Sequence, residues 1–483
     1  MNRRILTIAG VLFIAGCAGL KPDVRDADPV PTPDNWTAVS KVDVPLDTSA
    51  TPLLDVGFDA PGLAAVVREA LEANNDLEAA AVRVERAGAQ AVIAGADLAP
   101  QAAVSLDGAR RKQNFIGLPI PGAENDVLSN TSTTLGLGLN VSWEVDLWGR
   151  LRNQKGAAVA DLDAAMADYE FARLSIAGQT AKVWFAMNEA RRQVDLAEAT
   201  RDNFARSEER IARRYGEGLA GSVELRLART RTAAAEALVE NRRQQLDAVT
   251  RQLESILGRY PSGRLEASGD LPPVDRAIPV GIPADLVSRR PDLRAAERRL
   301  AASDARVASA RAALYPQFRL TGSAGTSSTE LEDLLDGDFS VWSFAAGLLQ
   351  PVFQGGRLRA NVDLSKAIAD EQAATFVQRV LNAFAEVETA LVLEQALVRQ
   401  EDALRVAAEN AVAARNSAED RYMAGVGDYL LVLTSQRDAF DAESRLIEIR
   451  RHRLTSRIDL ILALGGGFDE KVGSVALPAS GMN

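Results

Sequence analysis

Side chains that carry covalent or metal chemistry are scarce in this 483-residue chain, which holds one cysteine, Cys17, and one histidine, His452. A nucleophile needs a base within reach, and a zinc site needs several nitrogen or sulfur ligands. His452 stands in an arginine-rich helix, so neither a His-dependent triad nor a histidine zinc motif has local support, and it reads as a surface residue. No Gly-x-x-x-x-Gly-Lys-Ser/Thr phosphate loop occurs, and the glycines at 465 to 467 follow a helix rather than open one. Oxygen ligands concentrate once, at Glu330, Glu332, Asp333, Asp336 and Asp338. These could hold divalent cations, but a solvated acidic loop is the plainer reading. No enzymatic reaction, cofactor or resident metal is expected.

Cys17 has a different use. Arg3 and Arg4 precede an apolar run from Ile5 to Ala15, too short for a stable membrane span but suited to a secretory signal. The run ends Ile14-Ala15-Gly16-Cys17, which resembles the lipobox of bacterial lipoproteins, where the cysteine is acylated after cleavage. A lone thiol excludes an internal disulfide and fits an anchor. More than one acyl chain is needed for stable attachment, at about 0.8 kcal/mol per buried methylene. Ala18 is not the aspartate that resembles an inner-membrane retention signal, so the outer membrane is expected. Beyond the signal no run of about 18 apolar residues occurs, so no membrane-spanning helix is expected. A net charge of −11 disfavours nucleic acid as a partner.

The elements that would place the remaining residues come in two copies. Residues 75 to 101 align without a gap on 291 to 317 at an offset of 216, and both keep heptad spacing: Leu77, Ala80, Val84, Ala87, Ala91, Ala94, Leu98 against Leu293, Ala296, Leu300, Ser303, Val307, Ala310, Leu314. Downstream the offset is 207, where Gly149-Arg150-Leu151-Arg152 meets Gly356-Arg357-Leu358-Arg359 and Gly218 meets Gly425. The nine-residue difference puts the longer loop in the first copy, around Lys112 to Thr133. Each copy reads helix, strand, loop, strand, long helix, turn, helix. Long helices are predicted at about 150 to 214 and 357 to 421, each on the order of 100 Å, and shorter ones at about 63 to 98, 222 to 257, 283 to 314 and 429 to 464. The parts are a signal peptide at 1-16, a lipidated extended segment at 17-62, repeats at 63-258 and 283-465, a linker at 259-282 and a tail at 466-483. Seam alanines suit helices wrapped into a tube, although helix propensity alone also favours alanine.

From Thr134 to Leu147 the odd positions are all apolar, Leu135 through Trp143 to Leu147, and the even ones polar or glycine. Ala102, Val104, Leu106, then Phe318, Leu320, then Trp342, Phe344, Ala346, Leu348 alternate likewise. Such strands suit a lipid–water boundary, and a soluble sandwich shows the same alternation. Four strands arranged as two hairpins cannot close a barrel alone, and open edges are not tolerated in lipid, so several chains must contribute. Two chains would give eight strands and a filled interior, three would give twelve and a lumen. In WEVDLWGRLRN, residues 143 to 153, Trp143 and Trp148 would sit at the membrane interface and Gly149 would release the backbone into helix.

These residues together resemble the TolC-like outer-membrane factor family, in its lipoprotein efflux branch. The match runs over nearly the whole mature chain: Cys17, 143 to 152, IPADLVSRRPDLRAAE at 282 to 297, LYPQFRLTGSAG at 314 to 325, PVFQGGRLRAN at 351 to 361, and RYMAGVGDYLLVLTSQR at 421 to 437. The resemblance implies a mainly α fold with a small β part. It implies a homotrimer whose twelve-stranded barrel, four strands per chain, sits in outer-membrane lipid and continues as a long periplasmic α-helical barrel. Such a trimer would be the exit channel of a tripartite efflux system, fed by an inner-membrane transporter, RND-type or similar, through a periplasmic adaptor. It also places Gly218, Gly221, Ser222, Gly425, Gly427, Asp428 and Tyr429 at the periplasmic tip that meets the adaptor. Where the family commonly carries a constriction aspartate, this chain has Leu433-Thr434-Ser435, which leaves Glu224, Thr434, Asp438 and Asp428 as gate candidates or ordinary solvated groups. Two other readings stay open: a duct for type I protein secretion, and a non-conducting periplasmic lipoprotein scaffold.

Overall fold

The computed structural model describes residues 61–114, 129–274 and 283–466, with a few positions between 32 and 60. Cys17, the signal segment and all but the first residue of the tail lie outside the described residues. Two compact units emerge, one built on Glu85–Ala164 and Ala296–Thr375, the other on the described parts of Asp28–Val84, Ala165–Ala295 and Phe376–Asn483.

In chain order the elements are α1 (Pro61–Ala73), α2 (Asn75–Ala96), β1 (Gln101–Asn114), β2 (Ser129–Val145), α3 (Arg150–Gly216) and α4 (Ser222–Ile256). They continue as α5 (Pro283–Arg289), α6 (Pro291–Ala312), β3 (Gln317–Ser328), β4 (Ser340–Leu349), α7 (Arg357–Met423) and α8 (Tyr429–Ala463). The fold is mainly α with one small sheet. Element lengths match between halves: α3 and α7 have 67 residues each, α4 and α8 have 35, and α2 and α6 have 22. At 1.5 Å per residue α3 and α7 are each about 100 Å long.

Helices this long survive because one stripe is buried. The seam positions Leu77, Ala80, Val84, Ala87 and Ala91 are buried, as are Leu293, Ala296, Leu300, Ser303 and Val307. In the second unit Leu63, Phe185, Met187, Leu253, Val387 and Ile458 close one core, each nearly inaccessible. Burying side chains of this size contributes about 1.5–3 kcal/mol each.

Two expectations need correction. The helices predicted as unbroken over 63 to 98 and 283 to 314 are each split, at Asn74 and at Arg290. Asn74 is extended, with φ −76° and ψ 123°, because its Oδ1 accepts from the amides of Asp76 (3.0 Å) and Leu77 (3.1 Å) and so caps α2. Arg290 precedes Pro291, whose ring disfavours a helical residue before it and suits the first helical position after it. The loop expected around Lys112 to Thr133 is shorter than that, since β1 runs to Asn114 and β2 starts at Ser129. Arg110 to Asn114 and Ser129 to Thr133 carry no apolar alternation, yet pair by backbone alone, Arg110 opposite Thr133 and Asn114 opposite Ser129.

The strands form one antiparallel sheet in the order β1-β2-β3-β4, so the two hairpins join through β2 and β3. Where they join, Gly138 lies opposite Gly325, and a Cβ on Gly325 would stand 2.0 Å from the Leu137 carbonyl oxygen. Only glycine allows that approach.

Candidate functional site

Register decides what the sheet presents. Leu106 lies opposite Leu137, Val104 opposite Leu139, Trp143 opposite Leu320, Phe318 opposite Leu348 and Gly322 opposite Phe344. Directly opposed residues share a face. All the apolar alternating positions therefore fall on one side, while Ser105, Asn140, Ser323 and Ser343 fall on the other, with Asn140 Nδ2 donating to Ser105 Oγ at 3.1 Å and the Ser323 and Ser343 hydroxyls 2.8 Å apart. Among the described residues the apolar side has no covering layer: Val104 is 75% exposed, Phe344 70% and Trp342 81%. Among the described residues β1 and β4 each pair along one edge only.

At the end of β2 the sequence-predicted tryptophans are both fixed. Trp143 Nε1 donates to the Leu98 carbonyl (2.9 Å), and Trp148 Nε1 donates to the Pro316 carbonyl (2.8 Å) while its ring stacks on Tyr315 at 5.1 Å. Gly149, with φ 83°, makes the turn into α3. Asp146 then accepts from the amides of Leu151 (3.2 Å) and Arg152 (2.8 Å), so a carboxylate sits on the helix N-terminus, where the macrodipole favours it. Arg150 grips Glu144 through Nε and Nη2 at 2.9–3.0 Å. The second exit replaces this set: Gly355 and Gly356 turn at φ 57° and 82°, and Gln350, which stands 207 residues after Trp143, donates to the Leu314 carbonyl at 3.2 Å. Neither Asp146 nor Gln350 stood out in the sequence, though both sit at a strand-to-helix boundary where a cap is needed.

The two helix turns share a backbone and differ in side chains. Gly218 (φ 73°) and Gly425 (φ 78°) end α3 and α7 in the same way, with Leu219 N–H donating to Arg214 O (2.8 Å) and Val426 N–H to Arg421 O (3.0 Å). Gly221 precedes α4 and has no side chain to cap it, and Glu224 instead reaches back to accept from the Gly221 amide at 3.0 Å. Asp428 caps α8 by accepting from Leu430 N–H at 3.0 Å, and its carboxylate is otherwise exposed. Ser222 is exposed, whereas its counterpart Tyr429 is buried beside Tyr422, ring centres 5.3 Å apart. Gly427 is crowded, since a Cβ there would come within 2.9 Å of the Tyr422 nitrogen.

Burial pushes the Tyr429 phenol up to about 12, against the opposing pull of its bond to Ser207. Arg214 stands over the Tyr422 ring at 5.0 Å. Thr434 is exposed with its hydroxyl donating back to Leu430 O and Leu431 O, and Asp438 is exposed and accepts from its neighbour Arg437. Glu419, which sequence reasoning missed, accepts from Asn203 Nδ2 (3.1 Å) on α3 and Gln436 Nε2 (2.8 Å) on α8. In the acidic loop Asp333 accepts from the Ser328 hydroxyl and Asp336 from the Asp338 amide. Among the described residues no cluster is placed to hold a metal ion, and no helix is long and apolar enough to cross a membrane.

Among the described residues a one-layer antiparallel sheet with a bare apolar face passes directly into heptad-patterned helices, a fold suited to an outer-membrane protein. The chain belongs to the family described as outer membrane efflux protein, whose profile matches residues 66–259 and 282–466. It is similar to the probable efflux pump outer membrane protein SepC of Pseudomonas putida, 33% identical over 97% of this chain and 98% of SepC. It is similar also to the outer membrane protein OprJ of Pseudomonas aeruginosa, 32% identical over 95% of each. Its fold matches the outer membrane channel CmeC of Campylobacter jejuni with a TM-score of 0.86 at 26% identity, over 94% of this chain and 96% of that one.

Proposed function

We propose that three copies of this chain close a twelve-stranded barrel in the outer membrane and continue it as a helical duct, the last segment of a tripartite efflux pump. The observation that carries this reading is the sheet: among the described residues, one continuous apolar face without a covering layer, and an unpaired edge on β1 and on β4. Unpaired edges cannot rest in hydrocarbon, and strands from further copies satisfy them. Twelve strands leave a lumen where eight do not. A non-conducting scaffold gives the bare face no purpose. Lipid on Cys17 adds the anchor.

The turns at Gly218 and Gly425 form the periplasmic tip, which meets an adaptor fed by an inner-membrane transporter of RND or similar type. Exposed Leu219, Val223, Val426 and Leu430 offer that partner apolar contacts. Transport opens the tip by helix movement around Glu224, Asp428, Thr434 and Asp438. The test is single-channel conductance of the purified protein in planar bilayers, with an engineered cysteine at 428. Conductance that intersubunit cross-linking at 428 abolishes supports the duct and its gate. Absence of conductance under every tip-opening condition overturns the duct, and conductance indifferent to the cross-link overturns the gate.

A further inference from the structure

The two helix breaks at Asn74 and Arg290 stand at corresponding positions of the halves, and each donates to the last carbonyl of a returning helix. Asn74 Nδ2 donates to Ile256 O at 2.9 Å, and Arg290 Nη1 to Ala463 O at 3.1 Å. Beside each stands a left-handed glycine pressed against the break: Gly258 (φ 68°), whose Cβ would lie 2.4 Å from Ala73 O, and Gly465 (φ 71°), whose Cβ would lie 3.2 Å from Arg290 N. The chemistry differs. The Asn74 side chain makes neutral bonds to α2 and α4. Arg290 pairs with Asp292 through Nε (3.0 Å) and Nη2 (2.9 Å), and its Nη1 also donates to Glu386 Oε2 on α7 at 2.6 Å. Position 179 on α3, the counterpart of Glu386, is a glutamine.

The geometry points to Arg290 as an ionic knot that ties three helices, α6, α7 and the end of α8, while Asn74 makes a charge-free clasp of two. The Arg290 side chain is 7% exposed and that of Glu386 is 54% exposed, on the rim of an open groove of about 750 Å³. A half-exposed carboxylate is within reach of salt, whose screening length falls from about 10 Å at 0.1 M to about 3 Å at 1 M. The end of α8 therefore loosens with ionic strength through Arg290, its positioning residue, whereas any salt response at the end of α4 comes from the separate Arg259–Glu69 pair just past it. This holds for the chain itself and does not depend on what passes through it.

Hydrogen exchange on the full chain in detergent, at low salt and at 1 M potassium chloride, tests it. The last turn of α8, Leu460 to Ala463, exchanges about three- to five-fold faster in high salt, the size of one screened ion pair. Whatever response the last turn of α4, Leu253 to Ile256, takes from the nearby Arg259–Glu69 pair is the same in Glu386→Gln as in the parent. Glu386→Gln makes the α8 end fast at both salts, leaving Arg290 paired with Asp292 so that the variant folds. Asn74→Ala loosens the α4 end equally at both salts. No salt response at the α8 end, or one undiminished in Glu386→Gln, overturns the proposal.

Discussion

Glu254 illustrates how single side chains hold the passage between the halves. It is buried, and its carboxylate accepts from Gly263 N–H (2.7 Å), Arg264 N–H (2.9 Å), Leu265 N–H (3.2 Å) and the Ser262 hydroxyl (3.1 Å). The Gly263 amide above all, with the other donors, holds its pKa below the usual carboxylate value despite burial. A depressed folded-state pKa means the anchoring is fully present above the unfolded value of about 4.3 and is lost as pH falls through the lower folded value. Protease cleavage within 259–274 should thus stay slow down to that unfolded value and rise below the folded one. Glu254→Gln, with one acceptor oxygen and an amide facing further N–H donors, should make the segment cleavable at neutral pH. Equal cleavage of variant and parent at pH 7 would refute this assignment. Nothing in the sequence marked Glu254, because its partners are backbone amides of a segment without periodicity.

Among the elements, the caps separate what the sequence made legible from what it hid. Alternation located the strand cores, and the 207-residue offset located both turn glycines, because a period of two and a left-handed backbone leave marks in residue type. Strand ends such as Arg110 to Asn114 left none, because backbone pairing supports them without a face to bury. The breaks left weak marks. Asn74 followed by acidic Asp76 and Glu78 has the form of an N-cap, and Pro291 signals a helix start, but each lies two or three residues before a heptad seam, at Leu77 and Leu293, onto which the preceding helical segment runs without a gap. The unequal caps of the two turns are testable. Asp428→Ala should cost about 1 kcal/mol, read as lost protection or a lower thermal midpoint for the start of α8. Ser222→Ala, one residue after the side-chain-free cap of α4, should stay within about 0.5 kcal/mol. Equal losses would mean that Asp428 serves some purpose other than capping.

For the proposed barrel, the decisive property is which side of the sheet meets hydrocarbon, since the lumen turns on it. Phe344 and Ser343 are neighbours on β4 facing opposite sides, Phe344 opposite Gly322 on the apolar face and Ser343 opposite Ser323 on the polar face. A lysine at the bilayer midplane on the lipid side of a barrel costs about 2–4 kcal/mol, whereas a lumen position tolerates it. Phe344→Lys should therefore reduce insertion and the yield of detergent-resistant oligomer in the outer membrane, while Ser343→Lys should assemble normally and alter only conductance. Both variants carry the same added charge on the same strand, so differences in net charge or edge pairing cannot produce the contrast. If Ser343→Lys proved the more damaging, the face assignment would be inverted. If both were tolerated, the strands would not be in lipid and the barrel reading would fall, leaving a helical protein whose exposed sheet serves another contact.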